Sequence, residues 1–350
     1  MQPLFSEWYL PRFSKHDDVN PCLELNSNSQ FRCPIRKENV EWEGKDVFNP
    51  AAVVKDGKVY LLYRAEDSVG QYAGTSRIGI AESRDGLTFT RHHEPVLYPD
   101  NTSMSTYEWE GGVEDPRIVE DDNKTYYMTY TAYDGITARL CVASSKDLYT
   151  WKKHGLAFGN AYPDLWSKAG SIVCRREGDR LIATRINSKY WMYWGESNVY
   201  IATSDDLIRW TPVMRKQHTH DRAGYDSHFL SVFGTRHYRF DSSLVEPGPP
   251  AILTDDGILL IYNGRNDVRY GDSELADGTY AGGQILLDRN DPTAVIARLT
   301  DNFIRPDKDY EITGQINNVC FLEGLVYFKD RWILYYGTAD SKIAVASYSP

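Results

Sequence analysis

The 350-residue chain is poor in cysteine, in long apolar runs and in basic charge, and each shortage excludes a class of protein. Its five cysteines are scattered, odd in number and without a CxxC pair, which favours neither a disulfide framework nor a zinc site. No apolar run approaches the length of a transmembrane helix, so no membrane span is expected. The net charge of −10, without any basic run, argues against nucleic acid or an anionic membrane surface as a partner.

Several signatures of enzyme classes are also absent. No glycine-rich loop opens a helix and no serine stands in a nucleophile elbow, so nucleotide binding and serine catalysis are not indicated. The eight histidines are dispersed, and His218 and His220 in a polar loop are expected to be solvated rather than metal ligands. We therefore expect no metal and no cofactor. Because the N-terminus lacks the charged start and apolar stretch of a secretory signal, the expected location is cytoplasmic, or periplasmic if a signal has been removed.

What the chain has in abundance is aromatic side chains and a recurring pattern of short strands. An apolar strand, a turn, a Tyr-rich strand, a third strand ending in small residues and a D-G or D-L turn follow one another. The Tyr-rich strand occurs five times, at intervals of roughly 65 to 73 residues. These strands are Val59–Arg64, Thr125–Thr131, Tyr190–Gly195, Ile258–Asn263 and Trp332–Gly337.

This repeat predicts the fold. An all-β unit of such length is too long for a solenoid coil but suits a propeller blade, and the D-G turns are typical of hairpins. We therefore predict an all-β protein, a five-bladed β-propeller spanning residues 46–350. Residues 1–45 show no period and are predicted to be an extended lead-in that packs on the propeller. The alternative, a β-sandwich, should not repeat itself so regularly.

The segment Gly111–Arg117 is the most unusual stretch of the sequence. It places two carboxylates, a proline and an arginine in consecutive positions. Because a proline disfavours helical angles in the residue before it, Asp115 is expected to be extended and to lie at the entrance of a strand. The alternative is a charged turn that happens to contain a proline.

Polar residues recur at the starts of first strands and at the ends of second strands in nearly every repeat. In a propeller these positions face a central funnel, so they predict one shared polar site. Carboxylates from facing blades, together with aromatic rings that suit sugars, indicate glycoside chemistry, which needs one acid and one base.

Several phrases resemble those of glycoside hydrolase family 130. They are Phe48–Ala51, Tyr63–Ala65, Gly112–Arg117, Gly248–Pro250 and Tyr336–Asp340. The resemblance runs from about Phe48 to the C-terminus and rests chiefly on the Glu-Asp-Pro-Arg phrase. It implies a five-bladed propeller that acts on β-mannosides with inversion, either as a phosphorylase or as a hydrolase.

The resemblance also implies roles for single residues. Asp115 is expected to be the general acid, acting through the mannose 3-hydroxyl. A free aspartate, with a pKa of about 3.9, is ionised at neutral pH, so burial would have to raise that pKa by up to about 3. The predicted substrate-binding residues are Asn49, Arg64, Glu114, Arg117, Lys168 and Asp340.

One departure from the family pattern bears on the reaction. Family phosphorylases commonly carry a His-Arg pair at the end of the second strand of blade three, where this chain has Trp194-Gly195. Glu196 follows, and Glu246 lies at the entrance of blade four; both carboxylates would repel phosphate. We therefore predict an inverting hydrolase of β-mannosides, by resemblance β-1,2-linked, in which Glu196 or Glu246 activates the water.

Two alternatives remain open from the sequence. Arg64, Arg117 and Lys168 could still hold phosphate, which would give a phosphorylase that forms mannose 1-phosphate. The second is a non-catalytic carbohydrate-binding propeller, which would need hydrogen bonds but no proton donor. The +1 sugar depends on loops such as 221–239 and 270–279, and the chain could form a homo-oligomer.

Overall fold

The computed structural model describes residues 7–72, 74–215 and 228–350. In these ranges the chain is almost entirely β, with two one-turn helices, α1 (Ser105–Glu108) and α2 (Asp309–Ile312), and a short 3-10 turn at Gly159–Ala161. The prediction of an all-β class is confirmed. Within the described ranges no helix has the length and apolar character needed to cross a membrane.

The N-terminal segment contributes three two-residue strands, β1 (Ser14–Lys15), β2 (Phe31–Arg32) and β3 (Asn39–Val40). Strand β2 pairs with β3, whereas β1 crosses to the other end of the chain and pairs with Ala346 and Ser347. Gln284 anchors the same segment, since its side chain exchanges two hydrogen bonds with the backbone of Leu10.

Antiparallel ladders follow in chain order. The first contains β4 (Asp46–Lys55), β5 (Lys58–Glu66), β6 (Ser76–Ser83) and β7 (Thr90–Arg91). The second contains β8 (Gly112–Glu120), β9 (Tyr126–Tyr133), β10 (Ala138–Ser145) and β11 (Lys152–Leu156).

The next two ladders are less regular. One contains β12 (Ser171–Glu177), β13 (Arg180–Ala183), β14 (Arg185–Ile186), β15 (Lys189–Trp194), β16 (Asn198–Ser204), β17 (Thr211–Pro212) and β18 (Ser231–Gly234). The other contains β19 (Leu244–Pro247), β20 (Ala251–Leu253), β21 (Ile258–Arg265), β22 (Tyr280–Leu287) and β23 (Val295–Arg298).

The last ladder contains β24 (Cys320–Phe328), β25 (Arg331–Thr338) and β26 (Lys342–Tyr348), with β1 as its outer strand. Apolar side chains pack each ladder on the next. Val47 and Leu61 of the first ladder share a buried cluster with Ile333 and Tyr335 of the last. The final sheet is therefore in contact with the first.

The D-G and D-L turns that mark the sequence repeat adopt one local structure. In each, a serine hydroxyl accepts a hydrogen bond from the backbone N–H three residues later, as in Ser83 to Gly86, Ser145 to Leu148 and Ser204 to Leu207. The aspartate between them then accepts from the next two N–H groups, which is the usual chemistry of Asx turns. The sequence periodicity thus reflects a repeated turn.

Carboxyl residues lie within two of these strands. Strand β8 begins at Gly112 and includes Glu114 and Asp115, and strand β24 begins at Cys320 and includes Glu323. Both strands are almost wholly buried, so these three carboxyl residues are buried within strands and do not lie in surface turns.

Candidate active site

Asp115 lies inside strand β8, at a bulge, and not at a strand entrance. The pairing of β8 with β9 shifts register between Glu114 and Arg117, and Asp115 has φ +47°. The expectation that Pro116 would hold Asp115 extended is therefore wrong. A bulge accepts a residue in the left-handed region, and aspartate tolerates that region better than most residues.

Asn49 repeats this geometry in strand β4. It has φ +48°, precedes Pro50, and lies where β4 shifts register against β5. Its side-chain Nδ2 donates a hydrogen bond of 3.0 Å to Asp115 Oδ1. Two bulges in neighbouring ladders thus bring a predicted substrate-binding residue against the predicted acid.

Arg64, at the end of β5, joins three carboxylates. Its guanidinium lies 2.7 Å from Glu66, 3.0 Å from Glu114 and 3.3 Å from Asp115. Glu66 also pairs with Lys45 at 3.0 Å. The predicted residues Arg64, Glu114 and Asp115 therefore form one ionic network.

Arg117 is buried two residues beyond Asp115 and points toward the later ladders. Its Nε and Nη2 donate to the backbone carbonyls of Gly248 and Pro247, both at 2.8 Å. Nη2 also lies 3.0 Å from Glu323 and 4.0 Å from Glu246. Gly248, the first residue of the phrase Gly248–Pro250, and the preceding Pro247 thus contribute the backbone oxygen atoms that fix the arginine.

Lys168 joins the two glutamates predicted to act on water. Its Nζ lies 3.6 Å from Glu246 and 3.8 Å from Glu196. Burial by itself lowers the pKa of Lys168, but the carboxylates of Glu246, Asp115, Glu196 and Glu114 outweigh burial and raise that pKa. Lys168 is therefore a permanent cation among the predicted catalytic carboxylates.

Asp340 lies in the turn after β25 with φ +50°. Burial raises its pKa to about 7, although Arg64 opposes that change. Asp115 and Glu66 also act on this pKa, so the charge of Asp340 is coupled to the same network. The structure thus brings eight of the nine predicted site residues into one group of hydrogen bonds and ion pairs, since Arg117 Nη1 also donates to the carbonyl of Asp115, and Asp340 acts on that group through its charge.

The protonation states differ from the expectation in one respect. Burial does raise the pKa of Asp115, but Arg64, Lys168, Asn49 and Arg117 together outweigh it, and the net pKa is lowered. The expected rise is therefore wrong, because the cations around Asp115 stabilise its charged form.

The carboxylates whose pKa values are raised are Glu246 and Glu114, and not Asp115. Burial raises the pKa of Glu246 to about 7 against the opposing effects of Lys168 and Arg117. It likewise raises the pKa of Glu114 to about 7 against Arg64. Near neutral pH the site therefore holds Asp115 as a carboxylate beside glutamates that share protons with solvent.

The sequence reasoning missed Glu323, which is fully buried in β24. This residue lies where β24 shifts register against β25, as Asn49 and Asp115 do in their strands, but without their left-handed φ. Burial raises its pKa well above the ordinary range of a glutamate despite the nearby Arg117. The signal in the sequence was a polar residue followed by Pro or Gly, present in Asn49-Pro50, Asp115-Pro116 and Glu323-Gly324.

The pair Trp194-Gly195, predicted above to stand in place of a His-Arg pair, is not itself polar. Trp194 is buried against Phe158, Tyr200 and Phe229. Gly195 has φ +101°, and a Cβ there would approach the Asn198 carbonyl oxygen to 2.8 Å. Glu196 follows immediately, so this turn presents a carboxylate.

His218, His220 and residues 221–227 of the predicted specificity loop lie outside the described residues.

Chemically, the group combines a carboxylate in contact with hydrogen-bond donors, two further carboxylates on one lysine, and a cluster of fixed cations. Such an arrangement can bind sugar hydroxyls and hold an acid and a base on different strands. It can also take up or release protons near pH 7.

The chain matches known proteins over nearly its whole length. The profile of glycosyl hydrolase family 130, described as beta-1,4-mannooligosaccharide phosphorylase, matches residues 14–349. A beta-1,2-mannobiose phosphorylase from Thermoanaerobacter sp. (strain X514) is 33% identical over 91% of this chain and 95% of its own length.

Solved structures are more similar still. A glycosyl hydrolase from Bacteroides ovatus is 45% identical, with a TM-score of 0.92 over 99% of this chain and 96% of its own. Another structure is described within work on family 130 glycoside hydrolases that target beta-1,2 mannosidic linkages in Candida mannan. It is 43% identical, with a TM-score of 0.93 over 100% of this chain and 97% of its own.

Proposed function

The chain belongs to glycoside hydrolase family 130, whose fold is propeller-like and whose members act on β-mannosides, and we propose that it is an inverting hydrolase that releases mannose from β-1,2-linked mannosides. We propose further that its ladders form five blades, residues 46–350, closed by the segment 1–45. The pairing of β1 with β26 supports this closure.

We favour hydrolysis over phosphorolysis because the site contains more carboxylates than cations. The carboxylates are Glu66, Glu114, Asp115, Glu196, Glu246 and Asp340, with Glu323 beside them as a neutral acid, and the cations are Lys45, Arg64, Arg117 and Lys168. Each of the four cations is already ion-paired. A phosphate dianion would therefore have to compete with built-in carboxylates for every cation, whereas water would not.

In the proposed mechanism Asp115 acts as the acid and Glu246 acts as the base. The protonated minor form of Asp115 gives its proton to the mannose 3-hydroxyl oxygen, and that hydroxyl passes its own proton to the glycosidic oxygen as the bond to C1 breaks. Solvent then reprotonates Asp115, and the hydrogen bond from Asn49 orients its carboxyl group. Glu246, ionised above pH about 7, removes a proton from water, and Lys168 stabilises that charge. Water attacks the face of the sugar opposite the leaving group, so the anomeric configuration inverts.

A phosphorylase is the second candidate, because a relative with that activity is 33% identical and Arg64, Arg117 and Lys168 are all present. In that case phosphate would displace the glutamates from Lys168. A binding protein without turnover is the third, and it would give no role to the proton-exchanging glutamates.

The test is turnover of β-1,2-mannobiose with and without inorganic phosphate. We expect mannose to form at the same rate in both, with the α-anomer as the first product in NMR spectra. An obligatory phosphate requirement with release of mannose 1-phosphate would overturn the proposal. Binding without turnover of any β-mannoside would instead support the binding protein.

A further inference from the structure

Trp166 is a half-exposed indole held against the carboxylate of Glu196. Its Nε1 donates a hydrogen bond of 2.7 Å to Glu196 Oε1, while 47% of the residue remains exposed. A tryptophan whose only polar atom is satisfied still presents a large apolar ring to solvent. Such exposure next to a polar site calls for an explanation.

The segment that carries Trp166 is firmly anchored. The neighbouring residues Leu165 and Ser167 are buried. Ser167 donates its backbone N–H to the carbonyl of Ala138 and accepts a hydrogen bond from the N–H of Leu140 on its hydroxyl. The position of the indole is therefore set by β10 and not by a loosely held loop.

Glu196 is anchored to the same segment from the other side. The N–H of Gly195 donates to the carbonyl of Lys168, and the N–H of Ser197 donates to the carbonyl of Val245, both at 2.9 Å. Lys168 Nζ also lies 3.8 Å from Glu196 Oε2. Trp166 and Lys168 thus place one donor near each carboxylate oxygen of Glu196. The hydrogen bond from Ser197 to Val245 joins the turn that bears Glu196 to the strand that bears Glu246.

We propose that Trp166 is a positioning and specificity residue: its N–H orients Glu196, and its exposed ring stacks on a sugar ring of the bound β-mannoside. This inference rests on the proposed function. The flat face of an indole fits the C–H face of a pyranose, and an N–H donor stabilises the charged form of a carboxylate. The two tasks use different parts of one side chain, so substitutions can separate them.

Two variants of Trp166 separate the orienting task from the stacking task. Trp166→Phe keeps an aromatic face and removes the donor, whereas Trp166→Gln keeps an N–H donor of similar reach and removes the ring. Trp151→Phe is the matched control, because the Trp151 indole donates to the carbonyl of Leu148, away from the site. Affinity for β-1,2-mannobiose is measured by calorimetry in an Asp115→Asn background, and turnover and pH dependence in the otherwise native protein.

We expect Trp166→Phe to bind mannobiose within about threefold of the parent, to lose about tenfold in kcat/KM, and to displace the acid limb, because the charge of Glu196 acts on the pKa of Glu246. Trp166→Gln should bind about tenfold more weakly and keep the acid limb closer to that of the native protein. Trp151→Phe should match the native protein in all three measurements.

The proposal is overturned if both Trp166 variants equal the native protein in affinity, kcat and pH profile, an outcome that leaves the hydrolase assignment intact. Conversely, if turnover requires phosphate, the hydrolase assignment fails while the same comparisons, made with phosphate, still decide the role of Trp166. If no β-mannoside is turned over, calorimetry decides: equal affinity of the parent and the Trp166→Gln variant rejects the stacking role.

Discussion

Asn49 and Asp115 face each other from two β-bulges, with φ angles of +48° and +47° and a hydrogen bond of 3.0 Å from Nδ2 to Oδ1. Left-handed angles at non-glycine residues cost free energy and concentrate at functional sites. The two bulges therefore act together, since each turns a polar side chain out of its strand and toward the other.

Gly337 controls this pair. A Cβ at position 337 would lie 2.2 Å from Asn49 Oδ1, so Gly337→Ala must displace the Asn49 side chain from Asp115. We expect Gly337→Ala and Asn49→Ala each to lower kcat/KM by roughly tenfold, the loss of one charge-assisted hydrogen bond. The double variant should be no worse than the single ones, because both remove the same contact. Additive losses in a double-mutant cycle would contradict the link.

Asp115→Asn should abolish turnover while keeping sugar affinity. An amide keeps the shape of the side chain and tolerates the left-handed angle, but it cannot transfer the proton, so we expect a loss of about 10²- to 10⁴-fold in kcat. The matched control is Asp56→Asn, an exposed aspartate with φ +50° in the β4–β5 turn, which should retain native activity. Retained turnover in the Asp115 variant would remove it from the mechanism.

The raised pKa of Glu246 makes the stability of the folded protein depend on pH. Its pKa is raised from 4.5 to about 7 on folding, so the folded state binds the proton more tightly than the unfolded state. This contribution to the free energy of unfolding is complete below pH about 4.5 and falls, by up to about 3 kcal/mol, as the pH rises to about 7. Relative to the native protein, Glu246→Gln should gain stability across that window in urea denaturation; a constant difference would show that Glu246 titrates normally.

Glu323 should behave as a neutral acid in the core. Because burial raises its pKa well above the ordinary range, Glu323→Gln preserves both volume and charge state, and we expect its free energy of unfolding at pH 7 to lie within about 1 kcal/mol of the native value. Glu323→Ala should cost about 2 kcal/mol or more, since it opens a cavity beside Arg117. A glutamine variant as unstable as the alanine variant would mean that Arg117 requires the negative charge.

The sequence predicted which polar residues lie together better than it predicted their protonation. Recurring polar positions and the family resemblance pointed to Asn49 and Arg64 in the first ladder and Asp340 in the last, and the structure brings them into one charged network. The protonation of Asp115 could not be predicted in this way, because it depends on whether burial or four neighbouring donors and cations prevail. Trp166 was missed because it lies in a connection outside the repeated strands.

The sequence alone determined the all-β class, the family and the repeated serine–aspartate turns, since each depends on residues close together in the chain. Tertiary structure determined which polar residues contact one another and how those contacts change their pKa values. Bulges at Asn49, Asp115 and Glu323 are set by pairing with neighbouring strands, and the lowered pKa of Asp115 beside the raised pKa of Glu246 arises from charges that meet only when distant ladders pack together.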